Sequence, residues 1–373
     1  TEVLPNGATL VHHVPAEDVP VTWRLEEELR IGALDGDGAD QFGRVGGLAV
    51  GGDGEIVVLD AQAQELRVFS PDGEHLRTLG GKGGGPGEME GANGVVMGPD
   101  GLARVPDGRN NRISFFDLED GFVRSHPYQP MFMTWVWDGV VDAEGTAWSV
   151  HWIPSDEPGE RGRTAYVGYD PSGTAVDTLP HPADEQDTRQ EQPGLWQVER
   201  DGVPMASLGV PFYPRQQHVL TPGLQVWSTY EGDPSYRLKR WAPAGDTTLV
   251  LQLDRPLQPA DRALADSIAS EWEKEFDTSL DRSKIPDVAP ATSGHFLDDD
   301  GRLWVHANTA DSDSVRTMDA FDADNGDWLG TVATDLTVLA APSPVIRGDK
   351  VWAVVTDELD VQYIVRGVLR GAW

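Results

Sequence analysis

The sequence predicts an all-β fold, a six-bladed β-propeller of four-stranded antiparallel blades. Three observations carry the prediction. Tight glycine turns recur between short apolar runs, these turns come in pairs as a four-stranded meander requires, and the last unit lacks a fourth strand that the N-terminal stretch can supply.

The first unit shows the pattern most clearly. Gly47 to Val50, Glu55 to Asp60, Leu66 to Ser70 and His75 to Gly80 are apolar runs, joined in part by the turns Asp53-Gly54 and Asp72-Gly73. Asp-Gly between such runs marks a hairpin, because glycine enters the positive-φ region without steric cost. The first turn recurs at Asp100-Gly101, Glu144-Gly145, Pro222-Gly223, Asp300-Gly301 and Gly348-Asp349. The second recurs at Asp120-Gly121, Ser172-Gly173, Ala244-Gly245 and Asn325-Gly326. Five units are complete; the sixth offers Ser343 to Arg347, Val351 to Asp357 and Gln362 to Arg370, then ends. Thr22 to Gly32, which precedes the first unit and has no partner of its own, is expected outermost on the last blade, where it removes an open edge. Residues 1–21 are then an N-terminal extension, in which His12 and His13 are expected to be mobile, and 22–373 form one domain.

Two insertions interrupt the repeat, at about 181–215 and 256–292. The first is polar and Pro-punctuated, with a more apolar end (Val203 to Arg215) expected to fold back over one face. The second holds one helix, starting near Ala260 or Asp261, whose stripe Leu264, Ile268, Trp272 and Phe276 is expected to pack on the propeller.

Gly46 to Met89 resembles an NHL repeat, including its glycine-rich tail, and Gly94 to Gly121 is a second copy in which Asn110, Arg112 and Ile113 match the family's polar, Arg and apolar positions. The later units keep the turns and apolar runs and lose most of that signature. The resemblance implies a six-bladed ring with its site around a central channel, where the innermost strands begin. Alignment on the turns puts Gly47, Gly94, Gly139, His218, His295 and Pro344 in one row there, preceded by Gly46, Asn93, Asp138, Gln217, Gly294 and Ser343, with Arg44, Trp135 and Trp137 just before.

Two readings of these residues follow. His218 and His295, on adjacent units, together with Asp138 and Asn93, make a candidate set for a single divalent ion, zinc or calcium, which would activate water or polarise a carbonyl. Alternatively these groups line a tunnel, where Arg44, Trp135, Trp137 and Gln217 are ligand contacts. The Glu, two Asn and Asp of lactonases with this architecture are matched only by one Asn and one Asp, and the three histidines of the amidating lyases by two.

Composition narrows the partners. The net charge of -33, from 62 acidic against 29 basic side chains, repels phosphate backbones, so nucleic acid is not expected. The chain has no cysteine and hence neither disulfides nor thiolate sites. Gly80 to Gly87 lacks the GK[ST] ending of a phosphate loop and reads as a connection between units. No apolar run is long enough to span a bilayer, and the start at Thr1 fits removal of a leader. The sequence therefore points to a periplasmic, secreted or lipid-anchored, non-enzymatic propeller that binds a small molecule or a protein, with a metal-dependent hydrolase or lyase of lactonase or esterase type as the alternative. Membership of a larger assembly, docked through the inserted helix, is a further expectation.

Overall fold

The computed structural model describes residues 1–14, 21–36, 38–128, 136–137, 139–155, 162–182, 193–200, 203–308 and 316–371. Most elements are strands, and they assemble in sequence order. Val45–Val50, Ile56–Asp60, Glu65–Phe69 and His75–Gly80 form a four-stranded antiparallel meander. A second meander runs from Val96–Met97 to Gly121–Pro127 and a third from Val140–Val141 to Ala175–Pro180. The fourth spans His218–Leu220 to Thr247–Leu253, and the fifth Thr292–Leu297 to Trp328–Thr334. In the sixth unit Val345–Arg347, Lys350–Thr356 and Gln362–Gly371 are followed outward by the N-terminal strand Trp23–Ile31, antiparallel from Ile364↔Ile31 to Gly371↔Trp23. That strand also pairs in parallel with the fifth unit through Val332↔Trp23 and Ala333↔Arg24, which joins the fifth and sixth units into one nine-stranded sheet.

The segment ahead of it is more ordered than the sequence led us to expect. Thr9–His13 lies parallel to Thr247–Leu253, outermost on the fourth unit, and Glu2–Val3 pairs with it. His13 Nε2 lies 2.8 Å from the Gly326 carbonyl, and His12 Nε2 lies 2.8 Å from Asp254 Oδ1.

Burial explains the pattern of apolar residues. Ile56–Asp60 is buried at every position because neighbouring sheets pack on both its faces, whereas the outer strand His75–Gly80 is largely exposed. Hydrophobic clusters link each unit to the next: Leu59 with Val105 and Phe116, Phe115 with Ala147, Trp148 with Leu220, Trp227 with Val305, and Trp304 with Val351. A further cluster joins the sixth unit to the first, through Trp352, Val354 and Ile364 against Val50, Ile56 and Phe69.

The ladder registers expose a repeat position that the sequence reading missed. Val57, Arg104, Trp148, Trp227, Trp304 and Trp352 stand level on the second strands, opposite Ala49, Val96, Val140, Val219, Phe296 and Val345. Truncating one of these buried indoles to Ala would cost about 3–5 kcal/mol. Where an aspartate opens the preceding turn, its carboxylate accepts from the indole: Trp148 Nε1 donates to Asp142 at 2.8 Å and Trp304 Nε1 to Asp298 at 2.7 Å. Thr221 and Arg347 occupy that place in the fourth and sixth units, and there Trp227 Nε1 and Trp352 Nε1 are buried without a partner.

A second recurring aspartate ends the second strand. Asp60 accepts from the backbone amides of Gly43, Gln62 and Ala63, and Asp107 from those of Glu90, Gly91 and Asn110. Asn110 and Arg112 hold the glycine-rich connection by donating to the carbonyls of Gly83, Gly85 and Glu88, which gives that connection a structural role.

The two insertions pack on each other. The hairpin Leu195–Arg200 with Val203–Gly209 meets the helix Arg262–Phe276, capped by Asp261, around Trp196, Val198, Ala265 and Ala269. The helix packs on this hairpin where the propeller had been expected: Trp272 and Phe276 join the cluster, Leu264 is half exposed, Ile268 is outside the cluster, and the buried stripe is shifted to Ala265 and Ala269, whose small side chains let the helix approach the hairpin. Both insertions leave from an outermost strand and return at an innermost one, so they sit at the ends where His218–Leu220 and Thr292–Leu297 begin.

Candidate functional site

The innermost strands of the six units line one cavity of about 450 Å³. Leu48, Val96, Val140, Val219, Phe296 and Val345 contribute apolar wall, one unit each. Gly46, Gly47, Gly94, Gly139, Ser343 and Pro344 from the expected rows line it too, and so do His218 and Trp137.

The register corrects the alignment by one residue in two units. Counted from the paired residues that flank each turn, Leu48 and Val95 are level with Gly139, His218, His295 and Pro344, where Gly47 and Gly94 had been expected. The turn glycines Gly54, Gly101, Gly145 and Gly301 hold the same place in equal turns, and Gly47 and Gly94 lie seven residues before theirs while Gly139 and His295 lie six before theirs. Five-residue turns close the first five units, with Gly51, Gly98, Asp142, Thr221 and Asp298 each donating to the carbonyl four residues on, and a two-residue turn closes the sixth. In the fourth unit the positive-φ position is filled by Leu224 (φ 59°) where Gly101 and Gly301 stand in others, so the sequence signal Pro222-Gly223 is displaced by one residue.

Trp137 is fixed on the cavity wall. Its indole Nε1 donates to the Tyr128 hydroxyl at 3.2 Å, and that hydroxyl donates to Ser149 Oγ at 3.0 Å. A Cβ on Gly94 or Gly139 would lie 2.6 Å and 2.1 Å from atoms of Trp137, so these two glycines make the room for it. Trp135 and Asp138 lie outside the described residues.

His218 forms one wall beside His181, their rings edge to face with centroids 4.7 Å apart; the Tyr166 ring lies tilted against His181 at 4.8 Å. Burial, then the neighbouring His181, His295 and Lys239, push the His218 imidazole down to about 3, so it is neutral across the physiological range. Its Nδ1 is buried without a hydrogen-bond partner. His295 does not reach the cavity wall. Its Nε2 lies 3.1 Å from the Trp227 carbonyl, and because a carbonyl only accepts, Nε2 carries the proton and Nδ1 is a bare, buried lone pair. Burial holds His295 and His306 at about 4.

The other expected residues disperse. Gln217 is off the wall, its side-chain Nε2 donating to the Ser293 carbonyl at 3.4 Å and its backbone amide to Thr229 Oγ1 at 2.9 Å. Asn93 supports the wall from behind, its carbonyl accepting from the Trp137 amide at 2.7 Å. Arg44 lines a separate cleft with Phe42, Gln62 and Gln362. Among the described residues no three of His, Asp and Glu are grouped so as to hold a metal ion.

The structure adds two residues beside the Asp300-Gly301 turn that the sequence had not singled out. Asp298 and Asp299 line the cavity, and both carboxylates are neutralised. Asp298 accepts from Arg302 Nε at 2.5 Å, from the Trp304 indole, and from the amides of Asp300 and Arg302; Asp299 pairs with Arg347 at 2.5 Å. The signal was present as the Asp-three residues-Arg spacing at 298 and 302.

Serial four-stranded meanders, packing of each on the next and a cavity shared by their innermost strands define a protein of the β-propeller type. The sequence matches no protein-family model and no curated protein. Among solved structures, one of a Bacteroides fragilis protein considered to be exported is similar over 98% of this chain and 100% of its own, at 11% identity and a TM-score of 0.52. Virginiamycin B lyase from Staphylococcus aureus aligns over 93% of this chain and 100% of its own at 12% identity and a TM-score of 0.45, and the PQQ-bound aldose sugar dehydrogenase from Streptomyces coelicolor over 95% and 100% at 11% and 0.44. The first likeness speaks to the fold alone, and the other two are too distant to carry an argument. No helix among the described residues is long and apolar enough to cross a membrane.

Proposed function

We propose that the chain is an exported, closed six-bladed propeller, with NHL-like first blades, that binds a small molecule in its central cavity. One observation carries the reading: strands from all six units converge on a single cavity of about 450 Å³, walled mainly by apolar side chains and edged by a few polar groups. Such a volume and lining are those of small-ligand sites. Closure is supported by the cluster between the sixth and first units and by the outermost placement of Trp23–Ile31. Export accords with the acidic surface.

A thermal-shift screen of uncharged and charged small molecules against the wild type and Val219→Trp tests this. A ligand at a hundred times its Kd stabilises by about 2.7 kcal/mol. Compounds that raise the wild-type Tm should lose their effect in Val219→Trp, and in Val96→Phe on another wall; equal shifts in all three proteins would end the cavity reading.

A metal-dependent hydrolase or lyase acting through His218, His295, Asp138 and Asn93 is the competing reading, favoured by the bare Nδ1 of His295. Elemental analysis of dialysed protein separates the two. About one zinc or calcium ion per chain, lost in both His218→Ala and His295→Ala, would establish the second; substoichiometric metal unaffected by these changes leaves the first.

A further inference from the structure

We infer that the ligand of the central cavity is an uncharged, largely apolar molecule, aromatic in part, with a single hydrogen-bonding group that meets His218. This deepens the cavity-binding reading and rests on it. The argument starts from charge. Among the described residues the lining contains neither Lys nor Arg, so an anion would leave water with no cation there to receive it, at a cost of several kcal/mol. A cation fares no better, because the two carboxylates on the lining already hold Arg302 and Arg347, and Asp298 spends its oxygens on four donors.

What remains is apolar wall and a neutral imidazole. Valines, Leu48, Phe296 and the anchored Trp137 offer dispersion contacts and an aromatic surface, and Tyr128 holds the indole in one orientation. Against this background the polar side chains outside the two ion pairs are His218 and Ser343. The His218 imidazole lines the cavity and makes no hydrogen bond among the described residues. Nδ1 is enclosed by protein, which leaves Nε2, without a hydrogen-bond partner among the described residues, as the nitrogen that a ligand group can meet. Lys239, stacked 4.1 Å over the Trp241 ring, and His295 both oppose protonation of this imidazole, so it presents a neutral ring with one donor and one acceptor nitrogen.

A matched series of probes tests the inference: naphthalene, 2-naphthol and 2-naphthoate, measured by equilibrium dialysis against the full chain at pH 7.5. 2-Naphthol should bind roughly fivefold more tightly than naphthalene through the added hydrogen bond. 2-Naphthoate should bind at least about tenfold more weakly than naphthalene, since its carboxylate goes unpaired. In His218→Leu the advantage of 2-naphthol over naphthalene should vanish while naphthalene itself binds as before, and His218→Gln should restore part of it. Naphthoate binding as tightly as naphthol, with Val219→Trp abolishing both, would overturn the uncharged class and leave the cavity reading standing. An undiminished naphthol advantage in a folded His218→Leu would remove His218 from the site. Binding of none of the three, or binding that Val219→Trp does not touch, would bring down the cavity reading together with this one.

Discussion

Lowering the pH from 7 to 5 should destabilise this protein more steeply than its carboxylates can account for. His218, His295 and His306 are held neutral at about 3, 4 and 4 by burial, against an ordinary value of 6.5. A group whose folded value is depressed contributes stability that is fully present above the unfolded value and is lost as pH falls through the interval between the two. Between about pH 4.5 and 6 the unfolded chain therefore binds close to three more protons than the folded one, a slope of roughly 4 kcal/mol per pH unit. His126 and His151, also lowered by burial, add in the same direction. Asp319, whose carboxyl burial raises, opposes them with one proton at most. Urea unfolding at half-unit intervals from pH 5 to 7.5 measures the slope, and His306→Leu should reduce it by about a third. A stability that is flat through this window, or a slope unchanged in His306→Leu, would refute the reasoning, because it would mean that these imidazoles are either solvated or already partnered.

Two further outcomes follow from the packing. Asp298→Ala strips Trp304 Nε1 of its buried acceptor and Arg302 of its partner, and urea unfolding should show a loss of about 3–5 kcal/mol; a loss below about 1 kcal/mol would mean that water replaces the carboxylate. Deleting residues 1–13 uncovers the edge of Thr247–Leu253 and removes Val11 from the cluster around Trp227, so the Tm should fall and light scattering should show concentration-dependent association; an unchanged Tm would show that the two N-terminal strands contribute nothing to the fourth sheet.

Much of the architecture is local and was legible. Asp53-Gly54 and Asp300-Gly301 announce their hairpins because positive φ is a property of single residues, and Ile56–Asp60 announces a doubly covered strand because both faces must be apolar. The outermost place of Trp23–Ile31 was legible as well, from a count: the sixth unit was one strand short. Elsewhere the reading slipped. Leu224 takes the left-handed position beside the more obvious Gly223, and Gly47 and Gly94, counted one residue too far back from their turn glycines, fall one step out of register with His218.

The sequence by itself determined the serial meanders, the N-terminal strand that completes the last of them, the two insertions and the strongly acidic charge, since each depends on short-range periodicity or on composition. Only the tertiary structure decided which side chains meet. It put His218 against His181 across the third and fourth units, turned His295 away from the cavity toward the Trp227 carbonyl, brought Asp298 and Asp299 onto the wall as neutralised pairs, and joined the two insertions through Ala265 and Ala269. Apart from Asp298 with the nearby Arg302, these are contacts between residues tens of positions apart in the chain, or choices of face along a strand; a one-residue change of register reverses the face, and no local pattern in the sequence fixes that register.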